Sequence, residues 1–138
     1  MKNFKLYLFA LAIPLFMIAC NKNDDNDPPQ SVADAITDGT WRVHYLFNDG
    51  TDQSGNYSGY VFKFDTDGSV SAEKAGDNTA GTWSEVLDSG KKKLLITWIG
   101  GGIPSLLLEI EEDWVVKSKS TTLIQLTYNN DELHFQKL

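Results

Sequence analysis

The chain has a single cysteine, Cys20, among its 138 residues. With no second thiol an internal disulfide is excluded, and a folded domain must be held by its core alone. Long apolar runs are equally scarce. Only residues 6–19 are nearly unbroken apolar, and at 14 residues with Pro14 among them they fall short of the roughly 20 that a spanning helix needs. Cations are outnumbered, 12 Lys and Arg against 19 Asp and Glu, for a net charge of −7. An acidic surface repels phosphate backbones, so nucleic-acid binding is not expected. Catalytic signatures are absent too. No serine stands in a Gly-x-Ser-x-Gly elbow, and Gly100-Gly101-Gly102 lacks the Lys-Ser or Lys-Thr pair of a phosphate loop. There are two histidines, His44 and His134, where zinc takes three or four ligands. The expectation is a protein that is not an enzyme and uses no metal or cofactor.

What is present begins at the N-terminus. Lys2 and Lys5 precede the apolar run, Ala19 is the small residue at its end, and Cys20 follows. A charged start, a short apolar middle and a small residue before the cut describe a secretory leader. Met17-Ile18-Ala19-Cys20 resembles the bacterial lipoprotein signal, with Met17 and Ile18 departing from its usual Leu and small residue. The resemblance implies that residues 1–19 are removed and that Cys20 becomes a lipidated first residue, bearing palmitate or similar acyl chains. One acyl chain holds a protein marginally, whereas two or three make release very slow. The expected address is the bacterial cell envelope, lipid-anchored, with the outer membrane favoured. Residues 20–30 are polar, acidic and end in Pro28-Pro29, the composition of a flexible tether. Lys22 with Asp24 and Asp25 resembles the tag that sends some lipoproteins to the cell surface. Calcium on Asp24, Asp25 and Asp27 is disfavoured, because an unstructured segment does not preorganise six to eight oxygens.

Without the leader about 119 residues remain, enough for one domain, spanning 31–138. Loss of Lys2 and Lys5 takes the formal charge from −7 to −9. Ser31 caps a predicted short helix over residues 31–38, with Val32, Ala35 and Ile36 on one face. From Gly39 onward the apolar period switches to two. Eight strands are predicted near 40–47, 58–65, 69–74, 80–86, 93–99, 113–118, 121–128 and 132–137, joined mostly by Gly-, Asn- and Asp-rich turns. A second helical turn is expected near 104–110. No helix is long enough for a parallel crossover, so the predicted fold is all-β, an eight-stranded antiparallel up-and-down β-barrel, with a two-sheet sandwich as the alternative. The segment 65–69 with Glu73 faintly echoes a calcium loop, but flanking strands favour a hairpin turn.

Gly39-Thr40-Trp41 opens the first strand after the short helix, and Gly81-Thr82-Trp83 repeats the spacing. This resembles the Gly-x-Trp motif of lipocalins and lipocalin-like bacterial lipoproteins. Asp113-Trp114 and the closing Leu133 and Phe135 fit the same pattern over roughly 31–138. The resemblance implies a barrel that binds a small apolar ligand, with Trp41, Tyr45, Phe62, Phe64, Trp98, Leu107 and Trp114 lining or flooring the site. Eleven of the twelve aromatics after residue 20, Tyr45 and Phe47 among them, fall on the predicted inner face. Val43, Val70, Ala72 and Ser118 are the small residues that would leave space. So many rings argue for a filled interior, since eight strands enclose just enough room for side chains or one small ligand. The alternative function is therefore a packed envelope barrel that acts as a protein-binding, inhibitory or accessory module through its outer surface, its protein partner unspecified. His44 and His134 are predicted outward, and they would approach each other if the first and last strands pair.

Overall fold

The computed structural model describes Pro29 and residues 31–138. The leader, Cys20 and the acidic tether lie outside the described residues. The domain runs α1 (Val32–Ile36), β1 (Trp41–Asn48), β2 (Thr51–Asp52), a 3-10 turn (Ser54–Tyr57), β3 (Val61–Phe64), β4 (Ser69–Lys74), β5 (Asp77–Asp88), β6 (Lys91–Trp98), α2 (Ser105–Leu108), β7 (Asp113–Lys119), β8 (Leu123–Tyr128) and β9 (Asp131–Lys137). Every sheet neighbour is antiparallel. The order follows the chain from β3 to β9, and β1 closes the cylinder by pairing with both β9 and β3. The two-residue β2 only extends the β1 hairpin, so eight strands form the barrel.

Local chemistry sets most of these elements. Ser31 and Asp34 form a capping box on α1, each side chain accepting the other's backbone N–H at 3.0 Å. Val32, Ala35 and Ile36 are buried, so five residues of helix suffice to plug one barrel end. β5 begins three residues earlier than the sequence suggests. Ala75 and Gly76 both take positive φ, a two-residue turn whose twist matches the strands, and this frees Asp77 and Asn78 to pair with Lys74 and Glu73. At residues 65–68, Asp67 Oδ1 accepts from the backbone and hydroxyl of Ser69, while Asp65 pairs with Lys63 at 2.9 Å. Both carboxylates of the calcium-like segment are thus engaged within a hairpin.

Two bulges correct the predicted faces. Between Val43 and Tyr45 the register of β1 on β9 slips, so His44 is the extra residue. Beyond it the inward parity passes to Leu46, which is fully buried, and Tyr45 and Phe47 turn outward. A second slip between Val116 and Ser118 turns Ser118 to the surface, where its hydroxyl bonds Gln125 at 2.7 Å. Val43, Val70 and Ala72 do face inward and are buried.

The two Gly-x-Trp glycines serve different ends. Gly39 has φ +86 and lies against the Lys137 stem, which a Cβ would meet at 2.8 Å. Gly81 has ordinary φ but sits where β5 crosses close to β6. A Cβ there would collide with the Thr97 carbonyl and lie 2.9 Å from the Trp98 ring. Because the carbonyl belongs to the β-ladder, relief requires the backbone to move. Gly81→Ala is expected to destabilise the fold by about 1–3 kcal/mol, the usual range for overpacking. Chemical denaturation measures this, and a variant as stable as the parent would contradict the close approach.

Candidate functional site

The residues expected to line a ligand site come from elements on all sides of the cylinder. Trp41 opens β1, Phe62 and Phe64 belong to β3, Trp98 ends β6, Leu107 is in α2 and Trp114 starts β7. All six converge in one core and are 0–5% exposed. Tyr45 does not join them. The β1 bulge places it outside, its ring 5.0 Å from that of His134.

A ladder of rings runs down the interior. Tyr57 lies 6.2 Å from Tyr60, Tyr60 6.0 Å from Phe62, Phe62 5.4 Å from Phe135, Phe135 5.5 Å from Phe64, and Phe64 6.1 Å from Trp83. These are the tilted and edge-on spacings that aromatic pairs prefer. The rings descend within the core from the end closed by α2 to the end closed by α1. Tyr57 was not anticipated as part of it. It stands alone in the polar stretch Ser54-Gly55-Asn56-Tyr57-Ser58-Gly59, yet only 1% of its surface is exposed. A solitary aromatic in a loop otherwise built for solvent was the available signal.

Both ends are pinned by polar atoms on large rings. Trp41 Nε1 donates to the Ile36 carbonyl at the end of α1 (2.8 Å), and Trp83 Nε1 to the Asp65 carbonyl (2.9 Å). At the far end Trp98 Nε1 donates to Leu107 O (2.8 Å) and Trp114 Nε1 to Ile110 O (3.0 Å). The Tyr57 hydroxyl donates to Leu106 O at 2.6 Å. Burial, followed by the Glu109 carboxylate nearby, raises the Tyr57 pKa far above the ordinary phenol value, so the donor proton is retained. Of the apolar run 106–108, Leu107 is fully buried, Leu106 packs on the core, and Leu108 is about half exposed. That segment is a cap on the barrel end.

The clefts found around this core are open to the surface. One of about 460 Å³ lies where β1 and β3 diverge above their single facing pair, Trp41 and Phe62, and is lined by Val43, His44, Tyr57, Tyr60 and Val61. Another, of about 600 Å³, lies between α1 and the β5–β6 hairpin beside Trp83.

The histidines fall on the outer face, and β1 does pair with β9. The bulge, however, sets Tyr45 rather than His44 opposite His134. His134 Nε2 is buried without a hydrogen bond, and Glu132 Oε2 at 3.5 Å is too distant to supply one. Burial disfavours the imidazolium and lowers the His134 pKa, with the Glu132 charge opposing in part. Between the folded pKa and the unfolded value of about 6.5 the unfolded chain binds the proton more readily. The His134 contribution to stability is therefore complete above about pH 6.5 and is lost as the pH falls below it. An NMR titration should give His134 a midpoint under 6.5, and His134→Gln should flatten the slope of stability between about pH 5 and 6.5. A midpoint above 6.5 would contradict this environment.

No family model matches the chain, and no curated protein matches it significantly. Solved structures do. A DUF4847 family protein from Bacteroides vulgatus superposes with TM-score 0.60 at 13% identity, covering 78% of this chain and 98% of that one. An uncharacterized protein from Bacteroides eggerthii gives 0.53 at 18%, covering 72% and 98%. A lipocalin-like protein from Bacteroides uniformis gives 0.50 at 18%, covering 72% and 96%. At these identities the likeness concerns the fold, and with the closed eight-stranded cylinder already described it makes this domain a lipocalin-like β-barrel.

Proposed function

We propose that this chain is a lipid-anchored binding module of the bacterial cell envelope, held through Cys20, that recognises its partner with the outside of the barrel. The observation that carries the reading is the buried ring ladder from Tyr57 to Trp83, packed ring against ring within the core where a lipocalin-like fold would hold a ligand. An apolar ligand must displace packed rings to enter, and burying it would merely replace contacts already made. The domain serves instead as a rigid scaffold whose loops and clefts are free to vary. This is a reading of binding, with no chemistry assigned to either histidine.

A small apolar ligand inside the barrel is the second reading. It is favoured by the compatibility of the fold and by the glycines next to α2, Gly100 at φ +107 and Gly102 at φ +71, which would let that cap swing. Trp41, Phe62, Phe64, Trp98, Leu107 and Trp114 would then line the opened site.

Native mass spectrometry of gently extracted protein separates the two. The surface reading expects the mass of the lipidated chain alone. A copurifying apolar molecule in stoichiometric amount, distinct from the acyl groups on Cys20, would overturn it in favour of the interior site.

A further inference from the structure

The up-and-down topology sends alternate turns to opposite ends of the barrel, and the charges are not shared equally between those ends. At the α2 end the turns and caps carry Asp49, Asp52, Asp77, Glu109, Glu112 and Asp131. The α1 end carries Asp34, Asp38, Asp65, Asp67 and Asp88 in its turns and around its helix, but it and the strand segments nearest it also carry most of the cations. Residues 31–138 contain nine Lys and Arg, and five of them, Lys91, Lys92, Lys93, Lys117 and Lys119, fall on the adjacent strands β6 and β7.

These strands face each other only through Lys93–Val115, Leu94–Trp114 and Leu95–Asp113. Toward the α1 end they part, and the gap is a cleft of about 550 Å³ lined by Lys91, Lys92, Lys117, Lys119, Val115 and Val116. Some of the lysine charge is already matched. Lys93 donates to Asp88 and Asp113 at 2.8 Å each, and Lys117 pairs with Glu132 at 2.9 Å. Among the described residues Lys91 and Lys119 have no ion-pair partner, and Lys92 reaches Glu85 only at 4.0 Å. Beside them, at the β5–β6 hairpin, Leu87 is 73% exposed, the most exposed of the large apolar side chains. A cationic cleft next to a protruding leucine is the pairing that suits a lipid interface, where headgroup phosphates lie above acyl chains.

The chain also enters the domain here. Ser31, the cap of α1, shares a cleft with Leu87 and Lys92. Ten residues lie between it and Cys20, a reach of at most about 40 Å when extended. We propose that the α1 end docks on an anionic phospholipid surface through Lys91, Lys92 and Lys119, with Leu87 at the contact and the acidic α2 end turned away. The identity of the membrane rests on the lipid-anchored reading; the docking surface does not.

The test uses residues 20–138 with Cys20→Ser, which carry neither leader nor anchor, in sedimentation with phosphatidylcholine vesicles with and without phosphatidylglycerol. Despite the net charge of −9 that remains without the leader, the protein is expected to sediment with the anionic vesicles, and not with the zwitterionic ones, at low ionic strength. Replacing Lys91, Lys92 and Lys119 by Gln should weaken this partition roughly fivefold per lysine, the effect of about one kcal/mol for each charge near such a surface. Lys91 and Lys92 are exposed and Lys119 is half-buried, and an unchanged thermal midpoint confirms that the variant folds. No sedimentation with anionic vesicles, or equal sedimentation of the triple variant, overturns the proposal. So does displacement by inorganic phosphate beyond that by chloride at matched ionic strength, which would identify a free-anion site. Detergent-phase partition of the Cys20-intact chain reads the anchor alone, so a failure there is distinct from a failure of the docking surface.

Discussion

Four indole N–H groups, each donating to a main-chain carbonyl outside the strands, hold this barrel shut. Trp41 and Trp83 fix α1 and the 65–68 turn at one end; Trp98 and Trp114 fix the α2 segment at the other. Each ring fills core volume while its nitrogen donates to a main-chain carbonyl of a short helix or turn; those of Asp65 and Leu107 also accept a backbone N–H, from Gly68 and Ile110. The net gain per bond is about 1 kcal/mol. Helices of four and five residues have little stability of their own. They stay in place because the rings beneath them supply both packing and a donor. In a chain with no disulfide within it, this linkage of caps to core takes the part that covalent staples play in many small secreted domains.

The barrel was readable from alternation because one face of each strand is apolar and the other polar, which ties register to burial. Ser31 and Asp34 announced α1, and Gly81 announced a close approach that the β5–β6 crossing shows. The bulges at His44 and Lys117 left no comparable mark. At 45–47 the stretch Tyr-Leu-Phe is apolar at every position, so the pattern does not say which parity is inward. Only the pairing with β9, ninety residues away, makes Leu46 the buried one. Tyr57 was hidden for the opposite reason, being a lone core residue in a loop of small polar neighbours. Of the seven residues assigned to a ligand site, six do meet in space, but as mutual packing partners.

Function follows from how the interior and the exterior are divided. Inside, the rings and the aliphatic side chains around them form one buried core. On the outside the charge is polar in the geometric sense, acidic at the α2 end and lysine-rich near α1, with the β1–β3 and β6–β7 gaps as the places where the sheet opens into clefts.

The direct measurement of the central linkage is native-state hydrogen exchange on the parent and on Trp98→Phe. The substitution keeps an aromatic ring but removes the donor to Leu107 O. If the indole holds the cap, amides of residues 103–110 should lose protection by roughly 2- to 15-fold, while those of β4, β5 and β9 keep theirs. Unaltered exchange over 103–110, in a variant verified to be folded, would contradict it.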